Sequence, residues 1–112
     1  MQLYGCLFKC MDLVFRALAD ESRRALLDSL SAQSAQTLAE LCSGLSMSRQ
    51  AVSKHLAILE EANLVVTVKR GREKLHYLNP VPIAEIANRW IRKFERHRAD
   101  ALVDLKRRLE SE

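Results

Sequence analysis

One stretch decides the fold: Ser46-Met-Ser-Arg-Gln-Ala-Val-Ser-Lys-His-Leu-Ala-Ile-Leu-Glu-Glu-Ala62. At 100° per residue, Val52, Leu56 and Leu59 fall on one narrow stripe, which predicts a helix packed on a core. Ser46 is suited to cap the first turn of this helix. The opposite face is short, polar and cationic, and it carries acids only at its far end. That face is formed by Gln50, Ser53, Lys54 and Ala57, with Arg49 on its flank.

A helix with this outer face suits the major groove of DNA. Arg and Gln side chains can read base edges, while Ser and Lys side chains hold phosphates. The polar groups gather near the helix N-terminus, where backbone amides also favour an anion. The same pattern is typical of an ordinary amphipathic surface helix, so the flanking segments have to distinguish the two readings.

Length and charge narrow the class of protein. The 112 residues are enough for one domain, and 48% hydrophobic with 29% charged residues predict a globular chain. The net charge of +4 is uneven. Residues 46–77 hold six basic and three acidic side chains (+3), whereas residues 19–45 hold two basic and four acidic ones (−2). The basic part therefore coincides with the helix predicted within residues 46–62 (the reading helix) and with the segment after it. A polyanionic partner requires such a basic surface.

The cysteines and the first twenty residues indicate the compartment. Three cysteines are too few for a disulfide framework, and an odd number cannot pair completely. Charged residues interrupt the first twenty positions, so the sequence predicts neither a signal peptide nor a membrane span. We expect a cytoplasmic protein. The cysteines are Cys6, Cys10 and Cys42.

Two short helices joined by a tight turn are predicted in the middle of the chain. Thr37-Leu-Ala-Glu40 has the form of a capping box and opens a short helix that ends near Gly44. The helix at Ser46 follows after only a few residues, which is the helix-turn-helix arrangement. Upstream, apolar spacing predicts one helix to Leu18 and a second from the cap Asp20 to about Ser31.

A β-hairpin is predicted after the reading helix. Residues 64–70 are rich in β-branched side chains, Gly71 marks a turn, and residues 73–78 alternate as a second strand. Lysines on an edge hairpin can merely discourage aggregation. Four cations around one glycine, directly after a cationic helix, are better explained as a phosphate clamp. They are Lys69, Arg70, Arg72 and Lys74.

The last helix is predicted over residues 83–109, with Pro82 in its first turn. Its apolar stripe is longer than a domain of this size can cover, and the first helix also has surplus apolar surface. We expect both to pack against a second copy of the chain, although they could instead pack on each other within one monomer. The predicted dimer contacts are Leu7, Met11, Val14, Trp90, Phe94, Ala101 and Leu105.

Three blocks carry a family resemblance: residues 14–24 (VFRALADESRR), 53–65 (SKHLAILEEANLV) and 70–78 (RGREKLHYL). In this order and spacing they resemble the ArsR/SmtB family of bacterial winged helix-turn-helix repressors, over residues 12–109. The resemblance implies a mainly α single domain with a small β-hairpin, spanning residues 1–112. Within it the family places an N-terminal dimerisation helix at 1–18, the helix-turn-helix at 37–62, the wing at 64–78 and a C-terminal dimerisation helix at 83–109.

The resemblance also implies where DNA is read. The recognition helix would span residues 48–62 and the wing residues 65–78. Two copies on a two-fold axis would enter successive major grooves, so the operator should be an imperfect palindrome. We expect base contacts from Arg49, Gln50 and Ser53, phosphate contacts from Ser48 and Lys54, and contacts to flanking backbone or minor groove from Arg70, Arg72 and Lys74. His55 is expected to be a packed histidine that touches phosphate rather than a metal ligand or catalytic base.

The usual metal sites of the family are not matched. The positions of its Cys-Val-Cys run are Thr37 and Ala39 here, which removes the central thiolates. On the last helix, Glu95-x-His97 is a loose echo of the second site, but the position of its second histidine is basic. We therefore expect no metal and no cofactor. The alternative is a three-thiolate or redox site of Cys6, Cys10 and Cys42, set against cysteines that are simply small buried hydrophobes.

Two other classes of function have weaker support in the sequence. The sequence has no nucleophile elbow, no glycine-rich phosphate loop and no paired carboxylates in a pocket-forming context, so it predicts no enzyme. A winged helix that binds a protein or RNA stays open, because fold does not settle function. The non-acidic outer face of the reading helix and the cationic wing tip favour duplex DNA.

Overall fold

The computed structural model describes residues 11–91 and 96–111. It is mainly helical with one antiparallel hairpin, as predicted for a winged helix-turn-helix. Residues 11–18 form the described part of the first helix, α1. The other elements follow in chain order as α2 (Glu21–Ala32), α3 (Leu38–Ser43), α4 (Arg49–Glu61), β1 (Val65–Arg70), β2 (Glu73–Leu78), α5 (Val81–Ile91) and α6 (Arg96–Ser111).

Side-chain caps set where three helices begin. Asp20 caps α2, and Thr37 and Glu40 form the predicted capping box at α3. The cap of α4 is Ser48, whose hydroxyl accepts the Ala51 N–H at 3.1 Å. The expectation for Ser46 was wrong because a cap must directly precede the first helical residue, which is Arg49.

One compact unit runs up to Pro82 and contains α1 to α4 and the hairpin. The predicted stripe of Val52, Leu56 and Leu59 is buried, so α4 lies on the core as expected. Val14 was predicted at a dimer interface but is 2% exposed within the protomer. It belongs to the inner face of α1, and the core of its own chain already covers it. The largest fully buried side chains are Leu26, Leu30, Leu41, Leu59 and Leu64.

The chain turns from α4 into the wing through a residue with positive φ. Asn63 has φ 62°, and the N–H groups of Asn63 and Leu64 bond back to the carbonyls of Glu60 and Leu59. This is a Schellman ending, which satisfies the last helix carbonyls. The Asn79 side chain donates to the Asn63 carbonyl at 2.9 Å and holds the end of the hairpin beside this turn.

The hairpin pairs its strands from Val65 opposite Leu78 to Arg70 opposite Glu73. Two residues close it, and the first of them, Gly71, has φ 64°. A two-residue hairpin loop requires this backbone at its first position, and glycine adopts it without steric cost. The predicted strand, turn and strand are therefore confirmed, and the four cations lie at or beside the tip.

The second unit begins at Ile83 and contains most of α5 and all of α6. The prediction of one helix over residues 83–109 has different bounds in the structure. α5 begins two residues earlier at Val81, so that Pro82 lies in its first turn, and α6 ends at Ser111. Residues 92–95 lie outside the described part of the chain. In residues 11–91 and 96–111, no helix has the length and hydropathy needed to cross a bilayer.

Candidate nucleic-acid interface

The outer face of α4 carries the predicted reading residues. Because the apolar stripe of α4 packs on the core, the polar residues between its members point to solvent. The Ser48 hydroxyl accepts a hydrogen bond as the cap, and its own proton can still be donated to a phosphate. The exposed set is Ser48, Arg49, Gln50, Ser53 and Lys54.

The wing tip is cationic on both strands. Lys69 lies directly opposite Lys74 in the ladder, whereas Arg70 lies opposite Glu73. Like charges in directly opposed positions destabilise a hairpin, so the pair of lysines has a local cost that an external anion would relieve. Lys69, Arg70, Arg72 and Lys74 are all exposed.

A groove joins the wing to α4. It has a volume of about 430 Å³. It is lined by Arg49, Ser53 and Glu60 from α4 and by Arg72, Glu73 and Lys74 from the wing. The start of α3 forms part of its wall, through Thr37 among others. The two cationic elements, which are separate in the sequence, thus share one concave surface.

Sequence reasoning missed an ion pair across this groove. Lys74 Nζ lies 3.6 Å from Glu60 Oε1, which connects the wing to the C-terminal half of α4. A pair this exposed contributes at most about 1 kcal/mol. Its larger effect is on charge, because Glu60 offsets one cation of the wing. The sequence did indicate where Glu60 lies. Helical spacing places it one turn after Leu56 and two turns after Ser53, on the same face of α4.

The base of the wing is held by a buried polar pair that the sequence did not reveal. His76 and Gln36 exchange backbone hydrogen bonds, and the His76 Nδ1 lies 2.9 Å from the Gln36 carbonyl. A carbonyl only accepts, so the proton of the ring is on Nδ1. The Gln36 amide donates to the carbonyls of Ser29 and Gln33. Gln36, in the segment between α2 and α3, therefore connects the wing to the end of α2.

His55 lies on the other side of α4, against the start of α2. It is half-buried, and its Nδ1 is 3.4 Å from Arg23 Nη1 and 3.9 Å from Asp20 Oδ2. The Arg23 backbone N–H lowers the pKa of Asp20, and the positive charge of Arg23 lowers this pKa further. His55 is thus a packed histidine in the structure, and its contact with phosphate stays a prediction.

The thiol and dimer predictions fall partly outside the described residues. Cys42 is a half-buried free thiol, while Cys6, Cys10, Leu7 and Phe94 lie in the undescribed parts. In residues 11–91 and 96–111 no three His, Cys, Asp or Glu side chains are grouped as metal ligands would be. Of the other predicted dimer contacts, Met11 is half-buried, and Trp90, Ala101 and Leu105 are exposed.

Comparison with known proteins identifies the family. A family model described as a helix-turn-helix domain matches residues 18–68. The chain is 38% identical over 86 residues to the uncharacterized HTH-type transcriptional regulator YuzN of Bacillus subtilis, covering 71% of this chain and 94% of that protein. An ArsR-like transcriptional regulator from Rhodococcus sp. RHA1 has a similar structure, with 31% identity, a TM-score of 0.70 and 94% of each chain covered. This chain belongs to the ArsR family.

As an ArsR-family winged helix-turn-helix protein, the chain is a DNA-binding transcriptional regulator rather than an enzyme. It is also similar to the arsenical resistance operon repressor of Escherichia coli, with 34% identity over 67 residues, 60% of this chain and 57% of that protein. The predicted family resemblance and fold are confirmed by these comparisons.

Proposed function

We propose that this ArsR-family regulator is a cytoplasmic homodimeric repressor that binds an imperfect palindromic operator through α4 and the wing. The observation that supports this most directly is the groove shared by the two elements. Arg49 and Ser53 of α4 face the same space as Arg72 and Lys74 of the wing. One stretch of duplex could therefore be contacted by both at once.

In this proposal the two elements have different tasks. Arg49, Gln50 and Ser53 read base edges in the major groove, and Ser48 and Lys54 hold phosphates beside them. The wing cations lie on the flanking backbone or in the minor groove. Base contacts then determine which sequence is bound, while phosphate contacts determine affinity and its salt dependence.

The dimer is supported by the exposed apolar residues of the second unit. Leu102, Leu105 and Leu109 follow helical spacing on α6 and all are exposed in the protomer. Monomeric proteins rarely leave a contiguous apolar stripe in water. A second copy is the occupant we propose, because two recognition helices on a two-fold axis also explain binding to a palindrome. Repression is proposed from the similarity to the arsenical resistance operon repressor.

A gel-shift titration against the upstream region of the chain's own gene tests the proposal. Arg49→Ala with Gln50→Ala should bring specific and non-specific affinity closer together while leaving fold and dimer intact. Specificity that survives this change would contradict the register we assign to α4. Sedimentation velocity on the same samples measures the oligomeric state independently of DNA.

The wing has its own test. Arg70→Ala with Arg72→Ala should weaken binding to every sequence and reduce the salt slope of the dimer by about 3.6, since two phosphate contacts are lost from each protomer and each contributes about 0.9. The matched control is Arg107→Ala with Arg108→Ala, which removes the same charge from exposed positions on α6. Equal losses from the two pairs would mean that net charge, and not the wing, carries the effect.

A further inference from the structure

One side chain connects the end of α1 to the recognition helix. Arg23, in the first turn of α2, donates from Nε to the Ala17 carbonyl and from Nη2 to the Arg16 carbonyl, both at 2.9 Å. Both carbonyls belong to the last turn of α1, where helix carbonyls lack the regular i+4 donor. The Arg16 carbonyl also accepts the Ala19 backbone N–H at 3.3 Å. The third nitrogen, Nη1, lies 3.4 Å from His55 Nδ1 on α4. A single guanidinium carried by α2 thus contacts two other helices, α1 and α4.

The chemistry of the contact with His55 is constrained. A guanidinium has donors only, so the hydrogen bond requires a lone pair on His55 Nδ1 and places the ring proton on Nε2. Asp20 supplies the balancing negative charge. Its Oδ2 accepts the Arg23 backbone N–H at 3.1 Å and lies 3.9 Å from the same ring nitrogen.

This contact adds a directional restraint to the apolar packing of α4. The buried stripe holds α4 on the core, but apolar attraction is non-directional and tolerates small rotations and slides. Hydrogen bonds are directional, and the planar fork of arginine keeps its donors in fixed relative positions. The Arg23 guanidinium therefore restrains the position of α4 relative to α1 on the flank opposite the wing.

We propose that Arg23 is a positioning residue for DNA recognition, which fixes α4 relative to α1 and so specifies the half-site spacing that the dimer accepts. The inference rests on the proposed dimer and on the prediction from the sequence that α1 contributes to its interface. In such a dimer, α1 is held in the dimer interface and α4 enters the major groove of DNA. If α4 is less restrained relative to α1, the two recognition helices can adopt a range of separations and angles.

The chain offers a matched control in the neighbouring residue. Arg24 donates from Nη1 to the Leu18 carbonyl at 2.7 Å, so it also caps the end of α1. Its hydrogen bond, unlike those of Arg23, ends at α1 and does not reach α4 in the described structure. Arg24→Gln removes the same charge and the same kind of cap as Arg23→Gln, but it leaves the contact between Arg23 and His55 intact.

The experiment measures spacing tolerance. The half-site is first defined by selection of the wild-type protein on random duplexes, and operators are then made with one or two base pairs added or removed between half-sites. Wild type should lose roughly tenfold in affinity for each base pair away from the best spacing. Arg23→Gln should flatten this loss to about threefold or less, while Arg24→Gln keeps the wild-type profile. Affinity for an isolated half-site should agree among the three within about threefold.

A second variant separates positioning from folding. His55→Ala leaves the bonds of Arg23 to α1 in place and removes its contact with α4. It also removes the 3.9 Å contact with Asp20 and the predicted phosphate contact, whose loss would lower affinity equally at every spacing. It should flatten the spacing profile as Arg23→Gln does, and the double variant should show no further change, because both remove the same interaction. Thermal unfolding of each variant monitors stability, which a purely structural role would change without altering the spacing profile.

The outcomes separate the two claims. A wild-type protein with no spacing preference, or one that binds as a monomer, overturns the proposed dimeric operator binding and this inference with it. A wild-type preference that Arg23→Gln and Arg24→Gln leave equally sharp overturns the inference alone. If Arg23→Gln does not fold, a wild-type profile for His55→Ala overturns the inference, and a flattened one supports it.

Discussion

Two amphipathic helices of similar length, α4 and α6, have opposite surroundings. α4 has 13 residues and α6 has 16, and each carries apolar residues at helical spacing. In α4 the stripe is covered by the same chain, with Leu56 at 3% and Leu59 at 0% exposure. In α6 the corresponding leucines are open, with Leu102 at 67%, Leu105 at 52% and Leu109 at 65%.

The difference shows that an apolar stripe predicts burial without identifying what covers it. Covering a leucine side chain is worth about 1.5–3 kcal/mol, so the α6 stripe gains as much from a partner as the α4 stripe gains from the core. For α4 the cover comes from helices and a strand of the same unit. For α6 we propose a second copy, which turns a fold with one reading helix into a dimer with two.

The largest effect on stability is expected in α4, whose apolar stripe is covered by the same chain. Leu59→Ala should lower the free energy of unfolding by about 3 kcal/mol, because a fully buried leucine leaves both lost contacts and a cavity. Urea titration measures it, and the loss should be the same at every protein concentration. For Leu109→Ala the loss should grow with protein concentration over the range in which the dimer forms. If both variants lose the same amount at all concentrations, the α6 stripe is covered within the protomer and the contrast fails.

A charge in the α6 stripe tests the proposed dimer directly. Leu105→Glu should raise the dimer dissociation constant by about 100-fold, since each protomer would bury an unpaired carboxylate. Sedimentation equilibrium gives this constant, and operator affinity should fall with it. Arg107→Glu introduces the same residue on the polar side of α6 and should leave the dimer in place. A Leu105→Glu protein that stays dimeric would assign the interface to other residues.

A smaller effect is expected at the polar edge of α4. Glu60→Gln removes the partner of Lys74 and should raise DNA affinity about two- to threefold, in line with the modest strength of exposed ion pairs. Fluorescence anisotropy at low salt suits this range. Glu61→Gln removes the same charge from the next residue, which has no ion pair within the described structure. The gain in DNA affinity should be larger for Glu60→Gln than for Glu61→Gln. Equal gains would mean that the change in net charge alone explains the effect.

The smallest effect concerns acid stability at the start of α2. The pKa of Asp20 is lowered in the folded protein, chiefly by the Arg23 backbone N–H, so the unfolded state binds its proton at higher pH than the folded state. The stabilisation is therefore fully present above the ordinary value of 3.8 and is lost as pH falls through the lower folded value. Asp20→Asn should flatten the stability profile below about pH 4 in thermal melts. An unchanged profile would mean that other carboxylates control acid unfolding.

Local features were predictable because they depend on neighbours in the chain. The capping box of Thr37 and Glu40 spans four residues, and Gly71 has the backbone that a two-residue hairpin loop demands. The outer face of α4 followed from helical periodicity alone. The cap at Ser48 was missed because two serines lie close together, and only the actual start of the helix distinguishes them.

The sequence by itself determined the order of helices and strands, the faces that are apolar and the placement of cations on α4 and the wing, since spacing and residue chemistry specify these. Only the tertiary structure decided which distant residues meet. Gln36 and His76 are 40 positions apart, and Arg23 and His55 are 32 apart. Such contacts depend on how helices cross and how the hairpin leans on them, which periodicity does not encode, because it states which side of an element faces inward and not what lies opposite.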